Sequence, residues 1–216
     1  MTEAEWRATG DPKALLAAVP GRASPRKLRL LVCACCRRAW DLLTDERSRR
    51  AVGVAEALAD GAAGPDELAA AKTGAAAAYR LARRRTGPRA HRHSLAAPLA
   101  AQAVAGRAAF DPYETELLRG AQDRKEKVER TARAHLVREV FGNPFRPPAF
   151  SPAWRTDTAV AVARQMYEAR DFSAMPILAD ALQDAGCDRA EVLDHCRGPG
   201  PHAHGCWVVD LVLGKE

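Results

Sequence analysis

Apolar residues recur along most of this chain every three or four positions, with charged residues between them. Within residues 25–43, Leu28, Leu31, Val32 and Cys35 fall on one broad face when placed at helical intervals, and charged residues lie opposite. This period is that of an α-helix with one buried side. The pattern therefore predicts amphipathic helices that pack around a core.

Helix start and stop signals divide this pattern into elements. Ser24 followed by Pro25 is typical of a helix start, and Asp111 with Glu114 forms a capping box. A second capping box lies at residues 188–191. The predicted helices span residues 12–19, 25–43, 45–60, 65–85, 94–109, 112–141, 157–170, 174–185, 189–197 and 206–213. The fold class is predicted to be all-α: a multi-helix bundle with a compact C-terminal helical subdomain.

The clear break in the helical pattern is a segment rich in proline and aromatic residues. Its four prolines forbid a helix interior, and its aromatic side chains favour burial against the protein's own core over a role as a polyproline ligand. The predicted organisation is an N-terminal helical bundle over residues 1–142, a strap over 143–155, and a C-terminal subdomain over 156–216 packed on the bundle.

Composition is that of an ordinary globular protein. Hydrophobic residues make up 47% of the 216 positions and charged residues 28%, which disfavours a disordered chain. The longest apolar run is too short to span a bilayer, and the N-terminus has no secretory signal pattern, so we expect a cytoplasmic protein without membrane association. In that compartment the six cysteines are expected to be thiols or metal ligands.

Cysteine and histidine residues are concentrated in the predicted helix 25–43 and near the C-terminus. Helical projection places Cys35 at the centre of the apolar face, and Cys33 and Cys36 on a flanking strip near polar residues. A tetrahedral zinc site would combine these two flanking thiols with C-terminal donors. The candidate ligands are Cys33, Cys36, His195, Cys196, His202 and Cys206. Because the spacing is not that of a zinc motif, the favoured interpretation is small buried hydrophobes and no cofactor, with zinc as the alternative.

A second hypothesis is that Cys206 is a nucleophile, since it lies at a predicted helix N-terminus with histidines just before it. That arrangement can activate a thiolate as a nucleophile. A buried structural thiol beside Trp207 is the favoured interpretation, because a cysteine near a histidine is a common coincidence. No catalytic residue is assigned, and a non-enzymatic role is favoured.

The most basic stretch spans residues 79–93. Such a patch can neutralise phosphates, but it lacks a recognition-helix pattern and interleaved aromatic residues. A solvated helix end is therefore favoured over nucleic-acid binding. The candidate nucleic-acid contacts are Arg80, Arg83, Arg84, Arg85, Arg89 and Arg92.

Several segments together resemble a known family. They read MTEAEWRATGDP, SPRKLRLLVCACCRRAWDLLTDERSRRAV, FGNPFRP, PILADALQDAGC and HCRGPGPHAHGCWVVDLVLGKE. They are similar to a family of uncharacterised helical proteins abundant in planctomycete bacteria. The resemblance covers most of the chain outside residues 55–138, and it implies a helical fold without implying an activity.

Taken together, the sequence favours a non-enzymatic helical module that is structural or that binds another protein. Two alternatives stay open. One is a metal- or thiol-dependent protein built on the cysteine and histidine residues, and the other is a weak nucleic-acid binder that uses the arginine run.

Overall fold

The computed structural model describes residues 1–19, 21, 23–86, 124–147 and 149–215. In these ranges every regular element is helical, which confirms the all-α prediction, and none of the helices is long and apolar enough to cross a membrane. The α-helices are α1 (Glu3–Ala8), α2 (Pro12–Ala17), α3 (Pro25–Arg38), α4 (Glu46–Ala59), α5 (Pro65–Thr86), α6 (Arg124–Phe141), α7 (Asp157–Ala169), α8 (Met175–Asp184), α9 (Ala190–Arg197) and α10 (Trp207–Leu213). Two 3-10 turns lie at Trp40–Leu42 and Pro152–Trp154.

Several helix termini follow local side-chain chemistry, and three predicted features of the helix ends are wrong. As predicted, the Ser24 side chain caps α3. However, α3 ends at Arg38 before the predicted residue 43 and gives way to a 3-10 turn. Asp45, the first residue of the predicted helix 45–60, is instead the N-cap of α4, and its carboxylate accepts the Arg47 backbone N–H. The capping box predicted at residues 188–191 is absent, because α9 begins after Arg189 without a side-chain cap. The predicted helix 94–109 and the start at Asp111 lie outside the described residues.

Two large hydrophobic clusters form the core. The first lies between α1, α2, α3, α4 and α6, and the second is built from the residues that follow the proline-rich segment, mainly on α7, α8, α9 and α10. A smaller cluster joins α4 to α5 through alanines, which allow the close helix approach that the small residues predict. The division of the chain at residues 143–155 stays a prediction.

Aromatic residues anchor the proline-rich segment unevenly. Trp154 is buried in the second cluster and contacts Phe150 edge-on, with ring centroids 5.3 Å apart. Phe145 remains 41% exposed, although its ring meets Trp6 at 6.4 Å. The segment is thus held to the core at its second half and partly open to solvent at its first.

The two clusters meet across a set of shielded carboxylates, each of which joins an element of the first cluster to the C-terminal part of the chain. Asp210 on α10 accepts hydrogen bonds from Arg26 on α3 at 2.8 and 3.0 Å, which gives the acid in this apolar helix the charged partner that burial requires. Glu56 on α4 binds both Arg37 and Arg170. The other two carboxylates are Asp60 and Glu139.

Asp60, at the end of α4, accepts hydrogen bonds from the Tyr167 hydroxyl at 2.6 Å and from His204 Nε2 at 2.9 Å, and it lies 3.3 Å from Lys215 Nζ. Burial alone would raise the pKa of Asp60. The hydrogen bonds from His204 and Tyr167 outweigh that effect and lower the pKa below its ordinary 3.8. The ionised carboxylate is therefore the form that stabilises this interface.

Replacing Asp60 with asparagine should reduce the free energy of unfolding by about 2 kcal/mol at pH 7, because it removes charge-assisted hydrogen bonds. Because the folded-state pKa of Asp60 is lowered, the ionised carboxylate contributes its full stabilisation to the wild type above the unfolded-state pKa. This contribution, which Asp60→Asn lacks, is lost as the pH falls towards the folded-state pKa. Denaturant unfolding at pH 7 and pH 3 should show the gap between Asp60→Asn and wild type shrinking in acid. Asp66→Asn, at an exposed position of α5, is the matched control. A gap of equal size at both pH values contradicts the account.

Candidate metal centre

A cluster of four metal-ligating side chains lies between the two hydrophobic clusters. His195 is on α9, His202 is in the loop that follows, Cys206 is the residue before α10, and Glu139 is on α6. The loop between α9 and α10 makes a tight turn at Gly205, which has a φ of +96°. A Cβ at this position would lie only 2.9 Å from Leu30 Cδ1 on α3. Glycine therefore lets the loop approach α3 and brings its histidine beside Glu139.

The four donor atoms all lie within 4.8 Å of one another. His195 Nε2 is 3.2 Å from Cys206 Sγ and 3.3 Å from Glu139 Oε2. His202 Nδ1 is 3.3 Å from Glu139 Oε1, which also accepts the Ala203 backbone N–H. A tetrahedron with metal–ligand bonds of about 2.0–2.3 Å has edges of roughly 3.3–3.8 Å. The three separations of 3.2–3.3 Å are close to those edges, and the remaining donor pairs, at up to 4.8 Å, would have to move closer to surround one ion.

Burial controls the protonation of this cluster. The Glu139 side chain is 5% exposed and Cys206 is fully buried. Burial raises the pKa of the Cys206 thiol well above its ordinary value, and the nearby Glu139 charge raises it further. Burial lowers the pKa of His195 although Glu139 opposes that shift. Without a cation, the thiol is protonated and His195 is neutral at pH 7.

His202 has one ring nitrogen without a hydrogen-bond partner. Its side chain is 9% exposed, Nδ1 faces Glu139, and Nε2 is buried with no partner among the described residues. A buried polar atom without a partner is costly in a folded protein. The unpartnered Nε2 is not the nitrogen that faces Glu139. The His202 ring therefore lacks a polar partner beside the donor group, while its Nδ1 already contacts the carboxylate.

The structure brings together half of the predicted metal ligands. His195, His202 and Cys206 join Glu139, whereas Cys33 and Cys36 lie in the first hydrophobic cluster and belong to no donor group among the described residues. Cys33 and Cys36 are fully buried, so their predicted place on a polar flank is wrong: α4 covers that side of α3, and the Cys33 thiol faces the Val52 carbonyl at 3.9 Å. Cys196 is a buried member of the second hydrophobic cluster outside the donor group.

Glu139 is the ligand that sequence reasoning missed. It lies three residues after Leu136 and directly before Val140, so helical spacing places it beside an apolar stripe of the predicted helix 112–141. An acidic residue in such a stripe must find a buried partner. That conflict between position and charge was the signal available in the sequence.

The geometry argues against the nucleophile hypothesis for Cys206. Its thiol is inaccessible and its pKa is raised, whereas a reactive cysteine needs a lowered pKa and access to substrate. The Trp207 indole N–H donates to His195 Nδ1 at 3.2 Å, which leaves the ring proton on Nε2. A ring in that form has no lone pair facing Cys206 with which to accept the thiol proton.

The arginine run shows no equivalent cluster in the part of the chain that is described. Arg80 and Arg84 are exposed on the last turns of α5, and residues 83 and 85 belong to the same helix. Arg89 and Arg92 lie outside the described residues. Nucleic-acid binding through this run stays a prediction.

A surface cleft of about 470 Å³ borders the metal centre. His135 in its wall is one helical turn before Glu139 on α6, and Pro201 is bonded to His202. The cleft is lined by Arg38, Val128, Thr131, Ala132, His135, Gly200 and Pro201.

Comparison with known proteins adds no relative: no protein-family model, no curated protein and no solved structure matches the chain.

Proposed function

We propose that this protein is a non-enzymatic helical protein built around one structural zinc ion, with Glu139, His195, His202 and Cys206 as the ligands. The observation that carries the proposal is the convergence of these four donor atoms within 4.8 Å at a buried position. Carboxylate, imidazole and thiolate are the ligand types that zinc accepts in tetrahedral sites. The mixed oxygen, nitrogen and sulfur set disfavours magnesium and calcium, which prefer oxygen ligands.

The number of protein donors favours a structural zinc site over a catalytic one. Catalytic zinc keeps one coordination position for water or substrate, while structural zinc has four protein ligands. Charge is also balanced, because the Glu139 carboxylate and the Cys206 thiolate carry two negative charges against the two positive charges of the ion. Neutralising a buried cation in this way removes most of the cost of placing it in the core.

The ion would connect parts of the chain that are distant in sequence. Glu139 belongs to α6, whose neighbouring side chains are in the first hydrophobic cluster. The other three ligands lie on α9 or in the segment between α9 and α10, two helices of the second cluster. Because the ligands are assembled only in the folded chain, metal-binding energy contributes to folding energy. The ion would therefore hold α6 and the C-terminal helices together.

The wider role we propose is the one the sequence favours, a structural or interaction module whose partner is another protein. The capped helices and buried aromatic residues, in place of a recognisable catalytic constellation, support that role. Nucleic-acid binding by the arginine run is the weaker alternative.

Cobalt binding to the metal-free protein tests the proposal, because Co²⁺ is coloured and takes the tetrahedral sites of zinc. We expect one equivalent of Co²⁺ to bind with a thiolate-to-cobalt absorption band and to be displaced by Zn²⁺. Cys206→Ala should lose that band and weaken binding by about 100-fold or more, since losing even a group that orients a ligand costs about 10–100-fold.

Cys196→Ala is the matched control, because Cys196 is equally buried and lies next to His195 but outside the four donors. It should bind cobalt as the wild type does. A wild-type protein that binds no cobalt, or a Cys206→Ala variant that binds it normally, would refute the zinc site.

A further inference from the structure

Trp207 holds His195 in a form that cannot bind a metal. The indole N–H is a donor only, and it points at His195 Nδ1 with 3.2 Å between the nitrogens. A neutral imidazole whose Nδ1 accepts a hydrogen bond carries its proton on Nε2. That N–H faces Glu139 Oε2 and Cys206 Sγ, at 3.3 and 3.2 Å, where the ion would sit.

Metal ligation and the Trp207 hydrogen bond are therefore mutually exclusive. A bond from His195 Nε2 to the ion needs the Nε2 lone pair, and the neutral ring then carries its proton on Nδ1. Two N–H groups, one on His195 and one on the indole, would face each other. The indole must turn away or find another acceptor.

Trp207 is placed so that its movement affects two helices. It is the first residue of α10, and its side chain is packed against Gly142 at the end of α6, where a Cβ would lie 3.2 Å from two ring atoms. Gly142 follows Glu139 by three residues. The indole thus contacts α6 next to one ligand and the ring of a second ligand, His195, with centroids 5.0 Å apart.

We infer that the centre is a metal-responsive switch in which the Trp207–His195 hydrogen bond competes with the metal. This inference rests on the proposed zinc site. When the ion binds, four metal–ligand bonds form and the Cys206 thiol releases its proton to solvent. By exchange with solvent, the ring proton moves from Nε2 to Nδ1 in His195 and from Nδ1, which donates to Glu139 in the metal-free protein, to Nε2 in His202. The Trp207 hydrogen bond breaks, and the indole shifts relative to α6 and α10.

Long-range proton–nitrogen NMR of ¹⁵N-histidine-labelled protein reads the His195 tautomer directly. The metal-free wild type should carry the His195 proton on Nε2, and the protein with one equivalent of Zn²⁺ should carry it on Nδ1. The indole N–H resonance of Trp207 and the Trp fluorescence should change at the same stoichiometry. Trp207→Asn is unsuitable because it would also remove buried ring surface, so phenylalanine is the replacement of choice.

Trp207→Phe removes the donor and keeps an aromatic ring against Gly142. It should bind Zn²⁺ about 2–10-fold more tightly than wild type, because zinc binding to the variant no longer breaks the Trp207–His195 hydrogen bond. The factor corresponds to the net free energy of one hydrogen bond. Trp154→Phe, at a buried tryptophan of the same hydrophobic cluster, should leave zinc affinity unchanged. If the Trp207 ring had only a structural role, Trp207→Phe would bind Zn²⁺ more weakly than the wild type.

Failure of this inference is distinguishable from failure of the zinc site. If Zn²⁺ binds at one equivalent while His195 keeps its proton on Nε2, the switch is overturned and the zinc site stands. If wild-type protein binds no Zn²⁺, both are overturned. The tautomer of the wild-type chain decides the question even if Trp207→Phe fails to fold.

Discussion

A chain that ends after Gly200 should lose cooperative unfolding altogether. The truncation removes α10, whose Trp207, Val208, Val209 and Val212 are almost completely buried in the second hydrophobic cluster. Burial of a large apolar side chain contributes about 1.5–3 kcal/mol, so the four together contribute roughly 6–12 kcal/mol. That is comparable to the whole stability of an ordinary domain, about 5–15 kcal/mol.

Near-UV circular dichroism and thermal unfolding measure this effect. The truncated chain should show no sharp transition and a weak near-UV signal. Because the truncation also removes His202 and Cys206, the full-length protein stripped of metal is the control, and it should still unfold cooperatively. A truncated chain that melts within a few degrees of that control would show that α10 is not part of the core.

Removing the metal should lower the melting temperature of the full-length protein by about 8–16 °C. A ligand present at about a thousand times its Kd stabilises the folded state by about 4 kcal/mol, and 1 kcal/mol corresponds to about 2–4 °C in a chain of this size. In the metal-free protein, the Glu139 carboxylate stays buried, and hydrogen bonds alone compensate for its charge. Differential scanning calorimetry before and after chelation measures the shift.

The ligand variants sharpen this experiment. Cys206→Ala should melt at the same temperature with and without a chelator, because it has no site to lose. Cys196→Ala should respond to the chelator as wild type does, from a somewhat lower starting temperature, since it loses buried volume alone. An unchanged melting temperature in chelated wild type would mean that the four side chains act only as a hydrogen-bond network.

Local signals predicted much of the fold. The Ser24 and Thr156 caps and the end of α6 at Phe141 were predictable, because capping and glycine termination depend on residues within one turn. The short helix α1 was not predicted, although Thr2 and Glu5 form a capping box, because six residues carry too little periodic pattern. The early end of α3 was also missed, since helical periodicity alone does not distinguish an α-helix from a following 3-10 turn.

The candidate site was predictable only in its local half. His195, His202 and Cys206 lie close together in the sequence, so one loop brings them into contact. Glu139 is 63 residues before His202, and only the packing of α6 against that loop brings them together. Cys33 and Cys36 were attractive partners by residue type, but the burial of their helix face against α4 directs them into another core. The packing of α6 against the loop therefore places the Glu139 carboxylate in the donor group, whereas residue types alone suggested the thiols of Cys33 and Cys36.

The most direct test of the metal centre is the zinc content of the protein as purified, measured by elemental analysis beside the protein concentration. We expect one zinc per chain in wild type and in Cys196→Ala, and none above background in Cys206→Ala. Zinc absent from wild type, with the same thermal stability in the presence and absence of added Zn²⁺, would contradict it.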